Sequence, residues 1–197
     1  MTMMMDVWCR LTQVYLDTCR KTRVVVVGKV VKACNYHLSA LRHIRPMLTQ
    51  DAASLFACSI VSSRLDYCNG LYYGMSAQNF NRLQRIQNSL ARTVMAAPHP
   101  VSASTALHSL HWLPVRQRVR FKLAAISFKA YHTGTPSYLS DLLLDYCPPR
   151  HLRSSHSLLL SVPRVSLKLT TRGFAHAAPT IWNSLHLSPH HPNLTRF

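Results

Sequence analysis

The sequence predicts a mainly α-helical protein, a helical bundle with a small C-terminal appendage that is irregular or a β-hairpin. Two observations carry this prediction. The segment after Ser76 is strongly amphipathic, because at about 100° per residue its apolar side chains share one side of a helix and its arginines lie opposite. Pro148 and Pro149 then separate the helical patterns from a Ser-, His- and Pro-rich region.

The amphipathic helix has recognisable start signals. Ser76 is the expected N-cap, and Met75 and Phe80 occupy the two positions of a hydrophobic staple. Gln87 falls within the apolar sector, so it either has a buried partner or marks a shallow interface. The apolar side is formed by Phe80, Leu83, Ile86, Leu90 and Val94, and the opposite side carries Arg82, Arg85 and Arg92.

Two helices are predicted upstream. The first covers Val30–Ile44 and ends at Pro46, and its C-terminal cations either complement the helix dipole or contact phosphate. These cations are Arg42, His43 and Arg45. Thr49 is the expected cap of the second helix, over Ala52–Tyr67, whose apolar side chains point nearly all round and therefore predict burial on most sides. Asp66, at its end, is interpreted as the partner of an arginine.

The downstream helix, Val115–His132, carries two apolar stripes, and this pattern predicts packing between two layers with basic side chains along the edges. Thr135 and Pro136 are the expected N-cap and first residue of a short helix that reaches Leu144. In the appendage, residues 158–162 and the alternating residues 165–169 predict a β-hairpin near Pro163. The expected anchors of the appendage are Phe174, Ile181 and Trp182.

The charge balance favours a polyanionic partner. The chain of 197 residues has 23 Lys and Arg against 6 acidic residues, no glutamate, and a formal charge of +17. Nucleic acid and an anionic membrane surface are the two partner classes that this charge predicts. A hydrophobic content of 48% argues against a disordered chain.

The cysteines and the N-terminal region point to a reducing compartment. The six cysteines have no disulfide-framework pattern and predict free buried thiols. Asp6 and Arg10 interrupt any signal-peptide core. The apolar run Val24–Val31 is about a third of a membrane span, so no span is predicted and the cytoplasm or nucleus is the expected location.

Several kinds of catalytic and metal chemistry lack their residues here. Polymerases need clustered carboxylates for two metal ions, but the acids lie scattered, and only Asp141 and Asp145 share a helix face. There is no glutamate for an HExxH motif and no CxxC pair for zinc. The loosely spaced Cys147, His151 and His156 are interpreted as exposed side chains. We therefore expect no enzyme activity, no cofactor and no metal site.

The segments SRLDYCNGL and LQRIQNSLARTV, between Ser63 and Val94, resemble the region after the catalytic palm in the reverse transcriptase of LINE-type non-LTR retrotransposons. Four further segments resemble blocks of the same family in the same order. These are KACNYHLSALRHIRPML, LHSLHWLPV, FKAYHTGTPSYLSDLLL and AAPTIWNSL, and together the blocks span roughly Val30 to Leu185. The palm with its paired aspartates is not in this chain.

The resemblance implies a thumb, the helical module that grips the template–primer duplex without reading its sequence. RNA or an RNA–DNA hybrid is the expected partner, held through phosphates and 2′-hydroxyls. The residues suited to phosphate contact are Arg82, Arg85, Arg92, Arg118, Lys122 and Lys129. The corresponding domains are an unassigned segment 1–23, a thumb-like helical module 24–147 and an appendage 148–197.

Two alternatives stay open from the sequence. The apolar surface that once packed against a palm would serve self-association or a protein partner, and Gln87 and the Val24–Val31 run favour this interpretation. The other alternative is that the chain is an expressed fragment with no selected function.

Overall fold

The computed structural model describes residues 26–67, 69–96, 102–148, 158–166 and 170–186. About 75% of these residues are helical and none of them belongs to a strand, so the prediction of a mainly α-helical bundle is confirmed. The chain divides into two compact units, Met1–Val119 and Arg120–Phe197. The unassigned segment 1–23 lies outside the described residues.

The first unit contains helices α1 to α5 and the start of α6. Helix α1 covers residues 26–44, and a 3-10 turn follows at Arg45–Met47. Helix α2 (Gln50–Phe56) continues through a π-helical turn (Ala57–Ser62) into α3 (Ser63–Asp66). After a 3-10 turn at Asn69–Tyr72, the remaining helices are α4 (Ala77–Met95), α5 (Ala103–Ser109) and α6 (Val115–Thr133).

The helix starts follow the capping signals closely. Thr49 caps α2, since its side-chain oxygen accepts a hydrogen bond from the backbone N–H of Ala52 at 3.3 Å. Ser76 is the N-cap of α4 as predicted, although its side chain makes no capping hydrogen bond. Met75 and Phe80 are both buried in one core, which is the contact that a hydrophobic staple provides.

The core of the first unit lies between α1, the π-helical turn, α4 and the start of α6. Leu41, Val61 and Val119 are among its fully buried side chains. Every member of the predicted apolar side of α4 is buried here: Phe80, Leu83, Ile86, Leu90 and Val94. The 3.6-residue period therefore identified the packed side of this helix correctly.

The helix from Gln50 to Asp66 is less buried than its sequence predicts. Leu55 is 70% exposed and Phe56 is also exposed. The buried apolar positions are Ala53, Ala57, Val61 and Leu65, which repeat every four residues. The π-helical turn widens the helix, so that this four-residue spacing stays on one side and the other apolar side chains point outward.

The described cysteines differ in burial. Cys34 is buried in the core of the first unit, and this burial raises the pKa of its thiol to about 11, an effect that the charge of Arg64 partly offsets. Cys58 and Cys147 are free and exposed. The expectation of buried thiols therefore holds for Cys34 and is wrong for the other two.

The second unit contains the rest of α6, helix α7 (Ser137–Ser140), a 3-10 turn at Thr170–Arg172 and helix α8 (Phe174–His186). Helix α7 starts one residue later than expected, with Pro136 as its N-cap, and it ends well before Leu144. The larger buried side chains of this unit include Leu123, Leu139, Leu160, Phe174, Ile181 and Trp182.

The second apolar stripe of α6, formed by Phe121, Ala124, Phe128 and Tyr131, is only partly buried, which corrects the prediction of packing between two layers. Phe121 is 66% exposed and Phe128 is also exposed. Phe128 and Tyr131 meet the ring of Trp182, with centroid distances of 6.3 and 5.2 Å. Trp182 thus covers part of the second stripe, and Phe121 stays outside that contact.

The expected pairing of residues 158–162 with 165–169 is replaced by another pairing. Residues 158–161 lie antiparallel to residues 144–146, with Asp145 and Leu160 forming an isolated bridge. The backbone N–H of Tyr146 donates to Leu159 at 2.9 Å, and that of Ser161 donates to Leu144 at 2.7 Å. Residues 167–169 of the expected hairpin lie outside the described residues.

Side chains of α8 explain why residues 158–160 pair differently. The Asn183 amide accepts from the backbone N–H of Leu160 at 2.9 Å and donates to its carbonyl at 2.8 Å. The indole N–H of Trp182 donates to the Leu158 carbonyl at 2.8 Å. The backbone N–H and carbonyl of Leu160 therefore already have hydrogen-bond partners. Pairing with residues 165–169, as the sequence predicts, would have to replace them.

This pairing places residues on both sides of Pro148 in one compact unit. The sequence predicts a boundary at Pro148, whereas the two units meet within α6, between Val119 and Arg120. Residues on both sides of the proline pair are hydrogen-bonded to each other and belong to one unit. None of the described helices combines the length and the apolar character needed to cross a membrane.

Candidate nucleic-acid interface

The six residues expected to contact phosphate are divided between the two units. Arg82, Arg85 and Arg92 lie on α4 and Arg118 on α6 within the first unit, whereas Lys122 and Lys129 belong to the second. Arg85 and Arg92 are exposed, Arg82 is half-buried, and both lysines are exposed. The structure therefore brings three of the six together on one helix.

The α4 arginines project from a helix whose other side is fixed in the core. Leu83, Leu90 and Val94 are fully buried, so the helix cannot rotate without losing its packing. The surrounding sequence has no acidic residue between Asp66 and Asp141, and eight Lys and Arg residues lie in that interval. The positive charge of α4 is therefore not offset by a neighbour in sequence, and this favours contact with an anion.

Arg118 has a structural role instead of an exposed position. Its side chain is only 16% exposed, and its Nη1 lies 2.8 Å from Oδ2 of Asp66. Its Nε donates to the Leu113 carbonyl, also at 2.8 Å. The ion pair of Asp66 with an arginine, expected from the sequence, is thus present, and its partner is one of the residues expected to contact phosphate.

Gln87 has the buried partner that the sequence left as one of two options. Its side chain is 0% exposed, and its Nε2 donates to the Leu113 carbonyl at 2.8 Å. Gln84 donates to the Gln87 side-chain oxygen at 3.0 Å and to Asn88 at 2.8 Å, and accepts from the backbone N–H of Val115 at 2.9 Å. These amides fix residues 110–114, the connector, and the start of α6 against α4.

Arg45 is also used internally. Its guanidinium donates to the carbonyls of Thr93 and Val94 at the end of α4, with a shortest distance of 2.7 Å to Val94. It also donates to the Leu48 carbonyl at 2.8 Å. The sequence left Arg45 either to complement the dipole of its own helix or to contact phosphate. In the structure it instead caps the C-terminus of α4, a neighbouring helix. Arg42 and His43 are exposed.

A cleft of about 830 Å³ opens beside the arginine face of α4. Its walls come from α4, α5, the connector and the first residues of α6. Asn81 and Asn88 contribute from α4, and Arg116 contributes from α6, with its guanidinium carbon 5.1 Å from the centre of the Phe80 ring. Such a distance is typical of a cation–π contact.

This cleft is not predicted from the sequence. His108 and His111 line the cleft together with Trp112. His111 has a backbone φ of 54°, in the left-handed region that is uncommon for a residue with a side chain. The sequence feature that could have indicated it is the polar side of α4, whose amides contact a connector about thirty residues further along the chain.

The part of the chain that the structure describes holds no group of three or more His, Cys, Asp or Glu side chains suited to a metal ion. His151 and His156 lie outside that part. Comparison with known proteins gave no match to a protein-family model, a curated protein or a solved structure.

Proposed function

We propose that this chain is a palm-less remnant of a LINE-type retrotransposon reverse transcriptase, and that it binds RNA or RNA–DNA hybrid without sequence specificity. The binding surface is the arginine face of α4, formed by Arg82, Arg85 and Arg92. Lys122 and Lys129, on the second unit, are separate candidates for phosphate contact. The proposal gives the protein no polymerase activity and places it in the cytoplasm or nucleus.

The observation that carries the proposal is the α4 helix itself. Its apolar side is fully packed, which holds the arginines on the opposite side in fixed positions. Three cations on one face of a packed helix suit a phosphate backbone, because charges repeat along the ligand as they do along the helix. Arg118, which is paired with Asp66, contributes to the geometry of the site rather than to ligand contact.

A salt titration of binding to an RNA–DNA hybrid tests this function. Each phosphate contact contributes roughly −0.7 to −0.9 to the slope of log K against log salt. The three α4 contacts therefore contribute roughly −2 to −3 to the slope, and replacing Arg82, Arg85 and Arg92 by glutamine makes it shallower by about that amount.

The matched control removes the same charge from another helix of the same unit. Lys29, Lys32 and Arg42 are exposed on α1, and their replacement by glutamine lowers the net charge equally. The proposal expects near-wild-type binding from this control. Equal losses in both triple variants would show diffuse charge attraction, and absence of binding by the folded wild-type protein at low salt would refute the function.

Self-association is a second candidate function, favoured by a specific group of side chains. Three exposed apolar residues flank α2: Met47 in the turn before it, and Leu55 and Phe56 at its C-terminal end. Large exposed apolar side chains close together in sequence mark interfaces more often than isolated ones do. The two features that first favoured an interaction module do not support it, since Gln87 is buried and hydrogen-bonded and Val27 is buried in the core.

Sedimentation velocity separates the two functions. The interaction function expects a concentration-dependent dimer that Leu55→Lys abolishes and that the triple-glutamine change on α4 leaves intact. If the nucleic-acid function is correct, the triple-glutamine change on α4 weakens hybrid binding and Leu55→Lys leaves it unchanged. A protein that stays monomeric up to about 100 μM, well above the micromolar range of ordinary weak complexes, excludes the second candidate.

A further inference from the structure

The cleft beside α4 has walls that are fixed before any ligand arrives. Gln84 accepts from the Val115 N–H at 2.9 Å, and Gln87 donates to the Leu113 carbonyl at 2.8 Å. The turn at His111 is closed by two backbone hydrogen bonds, from His111 to His108 at 3.0 Å and from Trp112 to Leu107 at 2.8 Å. A pre-formed cleft of this volume is the usual form of a small-molecule site.

The lining of the cleft suits a flat ring with a polar edge. Trp112, His108 and His111 bring aromatic rings to its lining, and Arg116 brings a planar guanidinium that already lies against Phe80. Aromatic rings and guanidinium planes are the surfaces on which proteins stack unpaired bases. The exposed amide of Asn81 adds a donor and an acceptor, which match the edge of any base.

The charges around the cleft select an anionic occupant. Among the described residues that line it none is acidic, and Arg116 is one of them. Arg85 and Arg92 follow Asn81 and Asn88 by four positions on α4, so they lie one turn along the same side of the helix. A flat ring attached to a phosphate satisfies both the lining and the charge, and this combination defines a nucleotide.

We propose that the cleft holds one unpaired base of a nucleic-acid strand whose phosphates lie along Arg85 and Arg92. The inference rests on the proposed nucleic-acid function and deepens it, because it adds a site for single-stranded structure to a surface that otherwise grips only the backbone. The base is held by stacking, so that all four bases bind with similar affinity.

The test compares three RNA–DNA hybrids: one blunt, one with a single unpaired 3′ nucleotide, and one whose added nucleotide lacks its base. Stacking of one base corresponds to about a tenfold gain in affinity. We expect this gain for the unpaired nucleotide alone, because the abasic hybrid adds a phosphate without a ring. Equal affinities for the blunt and overhanging hybrids would overturn the inference and leave the proposed function standing.

The diagnostic variant is His111→Gly. It removes one ring from the cleft, and glycine adopts the positive φ of this position more readily than histidine, so folding is preserved. We expect the tenfold overhang effect to fall severalfold while blunt-hybrid binding is unchanged. Gln78→Ala is the control, since Gln78 is exposed on α4 and is not among the residues that line the cleft.

Two further results distinguish this proposal from binding at another surface and from binding of a free nucleotide. Photo-crosslinking of an overhang that carries 5-iodouracil should modify the peptide that contains residues 108–112, and crosslinking confined to other peptides contradicts the proposal. Tight binding of free UMP with no overhang effect would also overturn it, because the occupant would then be a free nucleotide. Failure of every hybrid to bind would refute the proposed function and this inference with it.

Discussion

The Leu113 carbonyl accepts two hydrogen bonds, and this arrangement makes a quantitative prediction. One bond comes from the buried Gln87 amide and the other from Arg118 Nε, both at 2.8 Å. In the Gln87→Leu variant the side-chain volume is nearly kept, and the carbonyl keeps Arg118 as a donor. Gln84 likewise keeps its hydrogen bonds to Asn88 and Val115. We therefore expect a loss of only about 1 kcal/mol in the free energy of unfolding.

The Arg118→Met variant removes the other donor and the ion pair with Asp66. By itself it should cost about 1 to 2 kcal/mol, since Gln87 still satisfies the carbonyl and Asp66 is 43% exposed to water. In the double variant the Leu113 carbonyl has neither donor. The cost should then exceed the sum of the single costs by up to about 1 kcal/mol, the penalty for leaving a polar group without a partner. The excess is smaller to the extent that water reaches the carbonyl, because Leu113 is 48% exposed.

Urea denaturation followed by circular dichroism measures these costs. With slopes of about 1 to 3 kcal/mol per molar urea, an extra 1 kcal/mol moves the midpoint by about 0.3 to 1 M, which is readily resolved. Asp66→Asn combined with Gln87→Leu is the control pair, because it removes the ion pair and leaves Arg118 on the carbonyl. That pair should be additive. Additive costs for Gln87→Leu with Arg118→Met would refute the shared-carbonyl argument.

Three more predictions follow from burial and hydrogen bonding. Leu90→Ala should destabilise the protein by about 3 to 5 kcal/mol, whereas Leu55→Ala, at a 70% exposed position, should cost less than about 0.5 kcal/mol. The raised pKa of Cys34, about 11, means that its contribution to stability is complete below about pH 9, its ordinary pKa, and is lost as the pH rises towards 11. Asn183→Ala should remove the acceptor of the Leu160 amide and speed its hydrogen exchange by about tenfold or more.

Each of these predictions has a contrary outcome. Equal urea midpoints for the two alanine variants of leucine would mean that α4 is not the packed helix. A Cys34→Ala protein should lose less stability between pH 9 and 11 than the wild type, and parallel pH profiles would contradict the argument. Ser184→Ala is the exchange control, because Ser184 bonds to Ile181 and Arg120 rather than to Leu160, and an equal effect from it would indicate general loosening.

The local features of this fold follow from the sequence, because they depend on neighbours along the chain. The start of α4 after Ser76 and its packed side were predicted from capping and from a 3.6-residue period. The cap at Thr49 was predicted in the same way. These interactions span three or four residues, so a pattern in the sequence contains all the information that they need.

The interactions between distant segments did not follow from the sequence. Gln87 bonds to a carbonyl 26 residues away, and Arg118 pairs with Asp66 across 52 residues. Asn183 supplies both hydrogen bonds that the predicted hairpin would have given Leu160. Periodicity shows that a side chain is buried or polar, but it does not identify a partner that folding brings from elsewhere. The cleft depends on such contacts and was therefore not foreseen, although its α4 wall was.

The pairing of residues 144–146 with residues 158–161 determines how the second unit responds to backbone cleavage. A single cut anywhere in 149–157 leaves both paired segments intact, together with the buried Leu160 and its contacts to α8. The two pieces should therefore co-elute under native conditions and separate only in denaturant. Prepared as separate polypeptides, the two pieces should reassociate when mixed, so the protein can be made as two complementary fragments.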